Sequence, residues 1–143
     1  MKTIRWEMVM EGAGDYPAPV KTASDICADL VARGIAGAPK EHFCVYFLDT
    51  KNRPIGFEIV SIGHLNASVV HPRESFRAAV IANANAVVFA HNHPGGDTTP
   101  SEGDNLVKRR LELAGEALGI GVLDFIIVEP GGTYLSYREA GLL

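Results

Sequence analysis

Along the chain the apolar positions switch between a period near 3.6 and a period of 2, and each switch predicts a change from helix to strand or back. After the Gly- and Pro-rich "GAGDYPAPVK", Ser24 stands where an N-cap is expected. In "DICADLVARG", Ile26, Leu30 and Val31 lie on one side of a helix that Gly34 stops. "HFCVYFLD" is apolar on both alternations, as in a strand covered on both faces. "DTKNRP" supplies turn chemistry and "IGFEIVSIG" reads as the returning strand of a hairpin. There Ile55, Phe57 and Ile59 alternate with Gly56, Glu58 and Val60, so Glu58 points away from the Phe57 side. "LNASVV" reads as a short third strand. "HPRESFRAAVIANAN" reads as one helix, with Pro72 in its first turn and Phe76, Val80 and Ala84 repeating at four. "AVVFAH" is a short apolar strand. "SEGDNLVKRRLELAGEALGI" is a long helix with Val107, Leu111, Ala114 and Leu118 as its apolar stripe. "GVLDFIIVE", a Gly-Gly turn and "TYLSY" make a closing hairpin. This order predicts an α/β fold, a mixed central β-sheet flanked by helices. Residues 1–23 read as an N-terminal arm or edge strand (Ile4 to Met10), and residues 24–143 as the domain.

Composition adds exclusions. A chain of 143 residues, 47% hydrophobic and 21% charged, suits one ordinary globular domain. Net charge is −4, and the one cationic run, Lys108, Arg109 and Arg110, falls on a predicted helix as a solvated face. Strong nucleic-acid binding is not expected. Cys27 and Cys44 form no C-x-x-C pattern, and Cys44 inside "FCVYFL" reads as a buried free thiol. The opening residues lack the apolar core of a signal peptide, and no apolar run approaches a membrane span. A cytoplasmic protein without membrane association is expected. The oligomeric state stays open, a homodimer included.

The chemistry concentrates in "FAHNHPGGDTTPSEGD". At the end of a strand, residues i and i+2 face the same way, so His91 and His93 would present both imidazoles together. Ser101 is a good N-cap, and Asp104 falls at the third helical position, close to a capping box with Asp in place of Glu. Capping does not prevent Asp104 from reaching a metal held by the preceding strand. Two histidines and a carboxylate leave a fourth tetrahedral position open, the pattern of a catalytic zinc site. His42, His64 and His71 have no such company and read as surface or turn residues.

The same stretch resembles the JAMM motif of JAB/MPN-type metallohydrolases, and more closely their RadC-like branch. "FLDTKNRPI", "EIVSIGHLNASVVHPRESFRAAVIANANAVVFAHNHPGGD", "LGIGVLDFIIV" and "SYREAGLL" extend the likeness over roughly 24–143. The resemblance implies a JAB/MPN-like (cytidine-deaminase-like) fold, with Zn2+ bound by His91, His93 and Asp104. It implies that Ser101 stabilises a tetrahedral intermediate and that an upstream glutamate, mapped onto Glu58, acts as general acid/base. Two residues depart from the branch: His64 in place of a usual Thr, and Phe125 in place of a usual His. The helix-hairpin-helix module of longer relatives is not part of these residues.

The implied activity is zinc-dependent hydrolysis of a peptide or isopeptide amide bond in a peptide or protein substrate. Glu58 would take a proton from water and return it to the leaving amine. Glu74 is the other upstream carboxylate, but it sits in the first turn of a predicted helix, where the dipole explains it. Gly56 beside Glu58 would leave room for an extended substrate backbone. The rivals are a non-catalytic MPN scaffold and a DNA-repair-associated factor or nuclease. A zinc deaminase would need H-x-E and P-C-x-x-C, which are missing here.

Overall fold

A computed structural model describes residues 1–5 and 18–143. The expected arm at Ile4 to Met10 lies mostly outside the described residues; Ile4 and Arg5 are exposed and carry no regular structure.

Helix α1 (Ala23–Ala32) is capped two residues before the expected Ser24. Its N-cap is Thr22, and the Asp25 carboxylate accepts the backbone N–H groups of Lys21 and Thr22. Gly34, at φ +75°, turns the chain out of the helix. Ile26, Cys27 and Leu30 are buried, whereas Val31 is half exposed and does not join the stripe. Strands β1 (His42–Leu48) and β2 (Pro54–Ile62) form the expected antiparallel hairpin. Its turn is built by Asp49, which accepts the N–H groups of Lys51 and Arg53, and by Asn52 at φ 57°.

Residues 65–70 form turns rather than a third strand. Asn66 Oδ1 accepts the N–H groups of Ser68 and Val69, a local bond that competes with a ladder. The next helix divides into α2 (Pro72–Ser75) and α3 (Arg77–Ile81). Phe76 leaves helical geometry (φ −103°, ψ −7°), and its ring packs edge-on against Phe89 at 5.4 Å. Phe76, Ala79 and Ala84 are buried, and Val80 is exposed instead.

Strand β3 (Ala86–Asn92), helix α4 (Glu102–Leu118), strand β4 (Gly121–Val128) and strand β5 (Tyr134–Ser136) complete the order. The sheet runs β2-β1-β3-β4-β5. Among the described strands only β3 and β4 pair in parallel, joined by the α4 crossover. This is the expected mixed sheet flanked by helices. On α4 the buried stripe is Val107, Leu111 and Gly115, while Leu118 is exposed.

Two apolar layers cover the sheet. Phe43, Val45, Val87, Phe89, Phe125 and Ile127 pack with Phe76, Val107 and Leu111 on one side. Cys44, Tyr46, Val88, Ala90 and Ile126 pack with Ile26 and Leu30 of α1 on the other. Central β3, buried along its whole length, therefore carries apolar side chains on both faces until its last residues, His91 and Asn92.

Candidate metal centre

Alternation along β3 places His91 on the face of Val87 and Phe89, towards α4, and Asn92 on the opposite face. His93 follows the strand and stays in register, its N–H donating to the Val128 carbonyl at 2.8 Å. A turn then closes with Gly96 N–H on the His93 carbonyl, at a φ of +84° that favours glycine. This turn brings the Asp97 carbonyl to His93 Nδ1 at 2.6 Å. Nδ1 therefore carries a proton, and Nε2 is the nitrogen turned to the cluster, the one that would ligate a metal.

Helix α4 starts where the sequence predicts. Ser101 Oγ accepts the Asp104 N–H at 3.0 Å, and Asp104 Oδ2 accepts the Ser101 N–H at 2.7 Å. The same carboxylate meets the histidines: Oδ1 is 3.0 Å from His91 Nε2 and Oδ2 is 3.3 Å from His93 Nε2. The two Nε2 atoms are 2.9 Å apart. Capping and clustering thus coexist at Asp104, as expected.

These donors fit a tetrahedral zinc. With bonds of about 2.0–2.1 Å, ligands on a tetrahedron stand about 3.3 Å apart, close to the three separations here. His91 and Asp104 are buried, and His93 is largely so. His91 Nδ1 is buried without a hydrogen-bond partner among the described residues, so the polar surroundings of this ring that are described lie on its Nε2 side. Burial pushes His91 down in pKa, against the pull of Asp104. The hydrogen bond to Asp104 raises His93, against burial. Burial alone would raise Asp104, but the hydrogen bonds of His91 and His93 outweigh it and hold the carboxyl well below the usual range. A charged carboxylate beside two imidazoles, buried and converging, is a donor set ready for a divalent cation.

Glu58 stands elsewhere. It pairs with Val45, and Val45 with Phe89, whereas His91 pairs with Phe43. Two strands across and two residues along put it roughly 12 Å from His91 between Cα atoms. There it forms an ion pair with Arg77 at 2.8 Å. Gly56 offers no open space either: a Cβ there would lie 2.7 Å from the Phe47 ring. Glu74 lies in the first turn of α2, as the dipole argument expects.

The carboxylate near the cluster is Glu41, immediately before β1, and its charge acts on both His91 and His93. Its Oε2 accepts the Leu65 N–H at 2.7 Å, and its carbonyl accepts the Gly63 N–H at 2.8 Å. Glu41 precedes the periodic stretch, so alternation could not single it out. Only the sheet register, which sets the start of β1 beside the end of β3, brings it in. Of the two departures, His64 is mostly exposed with Nδ1 3.7 Å from Glu41 Oε2. Phe125 is fully buried, its ring tilted against His91 at 5.4 Å as an apolar wall.

The remaining chemistry is internal. Lys108 Nζ donates to the Leu142 carbonyl and pairs with Glu112, and Arg110 donates to the carbonyls of Ala67 and Val70. Burial raises both thiols, Cys44 to about 12, which keeps them unreactive. Among the described residues no helix is long and apolar enough to cross a membrane.

Residues 21–142 match the family model of the RadC-like JAB domain. A UPF0758 protein of Desulfitobacterium hafniense is 45% identical over 125 residues, covering 87% of this chain and 55% of the relative. One from Symbiobacterium thermophilum is 50% identical over 115 residues, 80% of this chain and 49% of its own. A third, from Methanococcoides burtonii, is 42% identical over 129 residues, 90% of this chain and 56% of its own. The chain spans about half the length of these curated relatives. With its mixed sheet and its His-His-Asp cluster of the JAMM type, the chain belongs to the RadC-like JAB domain family.

Proposed function

We propose that this domain is a zinc-dependent hydrolase that cleaves a peptide or isopeptide amide bond. The observation that carries the reading is the convergence of His91 Nε2 and His93 Nε2, 2.9 Å apart, on the Asp104 carboxylate, whose Oδ1 is 3.0 Å from His91 and whose Oδ2 is 3.3 Å from His93, within the field of a further carboxylate. His91, His93 and Asp104 would hold the ion. Bound there, zinc supplies Lewis acidity, making water acidic enough to ionise near neutral pH and polarising a carbonyl.

We assign the proton-transfer role to Glu41 rather than Glu58. Its Oε2 is fixed by Leu65, and Oε1 makes no hydrogen bond among the described residues. That oxygen is the one suited to take a proton from water and pass it to the leaving amine. Ser101 Oγ already accepts from Asp104, so its own O–H is available to donate to a developing oxyanion. Ser101 is exposed, which leaves it open to substrate. A nucleic-acid role has less support, since Lys108 and Arg110 are engaged within the fold.

Two measurements test this reading. Zinc content is compared in wild type and His93→Ala; equal zinc in both removes the metal assignment. A peptide-cleavage screen then uses zinc-loaded wild type, Glu41→Gln and Glu58→Gln at matched occupancy. Glu41→Gln is expected to keep zinc and lose turnover by about 10²–10⁴. Glu58→Gln is expected to keep turnover. The reverse pattern would return the role to Glu58, and no hydrolysis by wild type across the screen would count against a hydrolase.

A further inference from the structure

Asn92, between the two histidines, takes no part in the chemistry above, yet it is fully buried and makes three hydrogen bonds. Its Oδ1 accepts the His42 N–H at 2.6 Å. Its Nδ2 donates to the carbonyls of Ala38 at 3.2 Å and Lys40 at 3.1 Å. The partners are one N–H and two carbonyls, so chemistry alone fixes which end of the amide is oxygen.

The location of these bonds is specific. The β1–β3 ladder ends at the pair Phe43–His91. Beyond it the Asn92 side chain takes over, bonding His42 and reaching back along the incoming segment. Two of its three partners, Lys40 and His42, are the chain neighbours of Glu41. From the other direction Glu41 is held by the 63–65 loop, through Gly63 N–H on its carbonyl and Leu65 N–H on its carboxylate. Glu41 thus sits between two clamps, and one of them grows from the strand end that carries His91 and His93.

Resting on the reading of Glu41 as the proton carrier, we propose that Asn92 is the positioning residue that sets Glu41 against the His91–His93–Asp104 cluster. The alternation of β3 makes this economical. His91 points to the α4 face, Asn92 to the opposite face, and one strand end orders both the ligands and the carboxylate. No smaller or simpler side chain serves: Asp lacks the two donors, Ser offers a shorter reach and one donor, and Leu offers neither.

The test uses the full chain, 15N-labelled and loaded with Co2+ as a visible probe of the site. Wild type is compared with Asn92→Ala, the milder Asn92→Ser, Glu41→Gln and the Asn92→Ala/Glu41→Gln double variant. The Leu65 amide reports on the Glu41 carboxylate directly, because that carboxylate is its acceptor. The expected result is that Asn92→Ala keeps cobalt one to one while the Leu65 amide shifts and loses exchange protection, whereas Glu41→Gln, whose amide oxygen still accepts that N–H, shifts it and keeps most of the protection. Asn92→Ser should shift it less. The cobalt bands should move in Asn92→Ala, and the double variant should move them no further than Glu41→Gln. Turnover of any peptide found by the screen should fall about 10–100-fold in Asn92→Ala, as for other groups that orient a metal site from behind. An unchanged Leu65 amide with only a lower melting temperature would overturn the proposal, leaving Asn92 a structural clasp. Loss of cobalt would also overturn it, because Asn92 would then act through the histidines. Failure of both single Asn92 variants to fold would assign the clasp to the fold as a whole and equally overturn it. If Glu41→Gln leaves hydrolysis intact while Asn92→Ala still moves the Leu65 amide, the clamp stands and the proton-carrier reading fails.

Discussion

At Asp104 one carboxylate is shared between a helix start and a pair of imidazoles. Oδ2 accepts the Ser101 N–H and also lies near His93, while Oδ1 faces His91. The two duties separate under substitution. Asn at 104 still offers an oxygen to the Ser101 N–H but removes the ligand charge. Asp104→Asn should therefore keep the helix start, with little change in the melting temperature of metal-free protein, and weaken zinc binding by more than about 100-fold, since a ligand outranks the outer groups worth 10–100-fold. Competition with a coloured chelator measures this, and unchanged affinity would make Asp104 a cap residue only. Ser101→Ala tests the converse. It removes the acceptor of the Asp104 N–H and should cost about 0.5–2 kcal/mol in denaturant unfolding while zinc stays stoichiometric. Loss of zinc would mean that Ser101 is misassigned.

At the scale of elements, the close approach of α4 to β4 depends on Gly115. A Cβ there would lie 2.6 Å from the Ile120 carbonyl and 3.0 Å from Val122 Cγ2. A backbone carbonyl cannot move cheaply, so Gly115→Ala should lose more to crowding, about 1–3 kcal/mol, than the ~1 kcal/mol it gains in helix propensity. At Gly103 the nearest atoms to a Cβ are 3.6 and 3.7 Å away, an ordinary contact, so Gly103→Ala should stabilise by up to about 1 kcal/mol. Paired unfolding curves decide, and stabilisation by both substitutions would show that α4 can shift. Elements with strong periodicity were legible in the sequence: β1, β2, β3, α4 and the β4–β5 hairpin all stand where alternation or the 3.6 period puts them. The failures have local causes. Asn66 offered "LNASVV" a turn that its β-branched residues did not outweigh, and Phe76 turned into the core and split a helix. The His-x-His, Ser and Asp of the site lie within fourteen residues and could be read together. Glu41 could not, because a sheet register joins it to them across a long stretch of chain.

For the whole molecule, the question is whether metal holds the fold or only adds to it. The sheet is covered on both faces by apolar layers that do not include the cluster's polar atoms. Metal-free, the three donors hydrogen-bond one another, so the buried Asp104 charge keeps partners. A small zinc finger has neither resource and unfolds without its ion. This chain should remain folded after chelation and unfold in one cooperative step. Metal then stabilises by mass action, about 2.7 kcal/mol at a free concentration 100 times the dissociation constant. For a domain of this size that corresponds to an increase of about 10 °C in melting temperature. The increase should grow with the logarithm of added zinc and vanish in His93→Ala, whose metal-free melting temperature should stay near that of chelated wild type. Calorimetry across a zinc titration reads all three. Loss of structure on chelation would show that the apolar layers cannot hold the sheet alone. A zinc-dependent increase that persists in His93→Ala would place the binding site elsewhere.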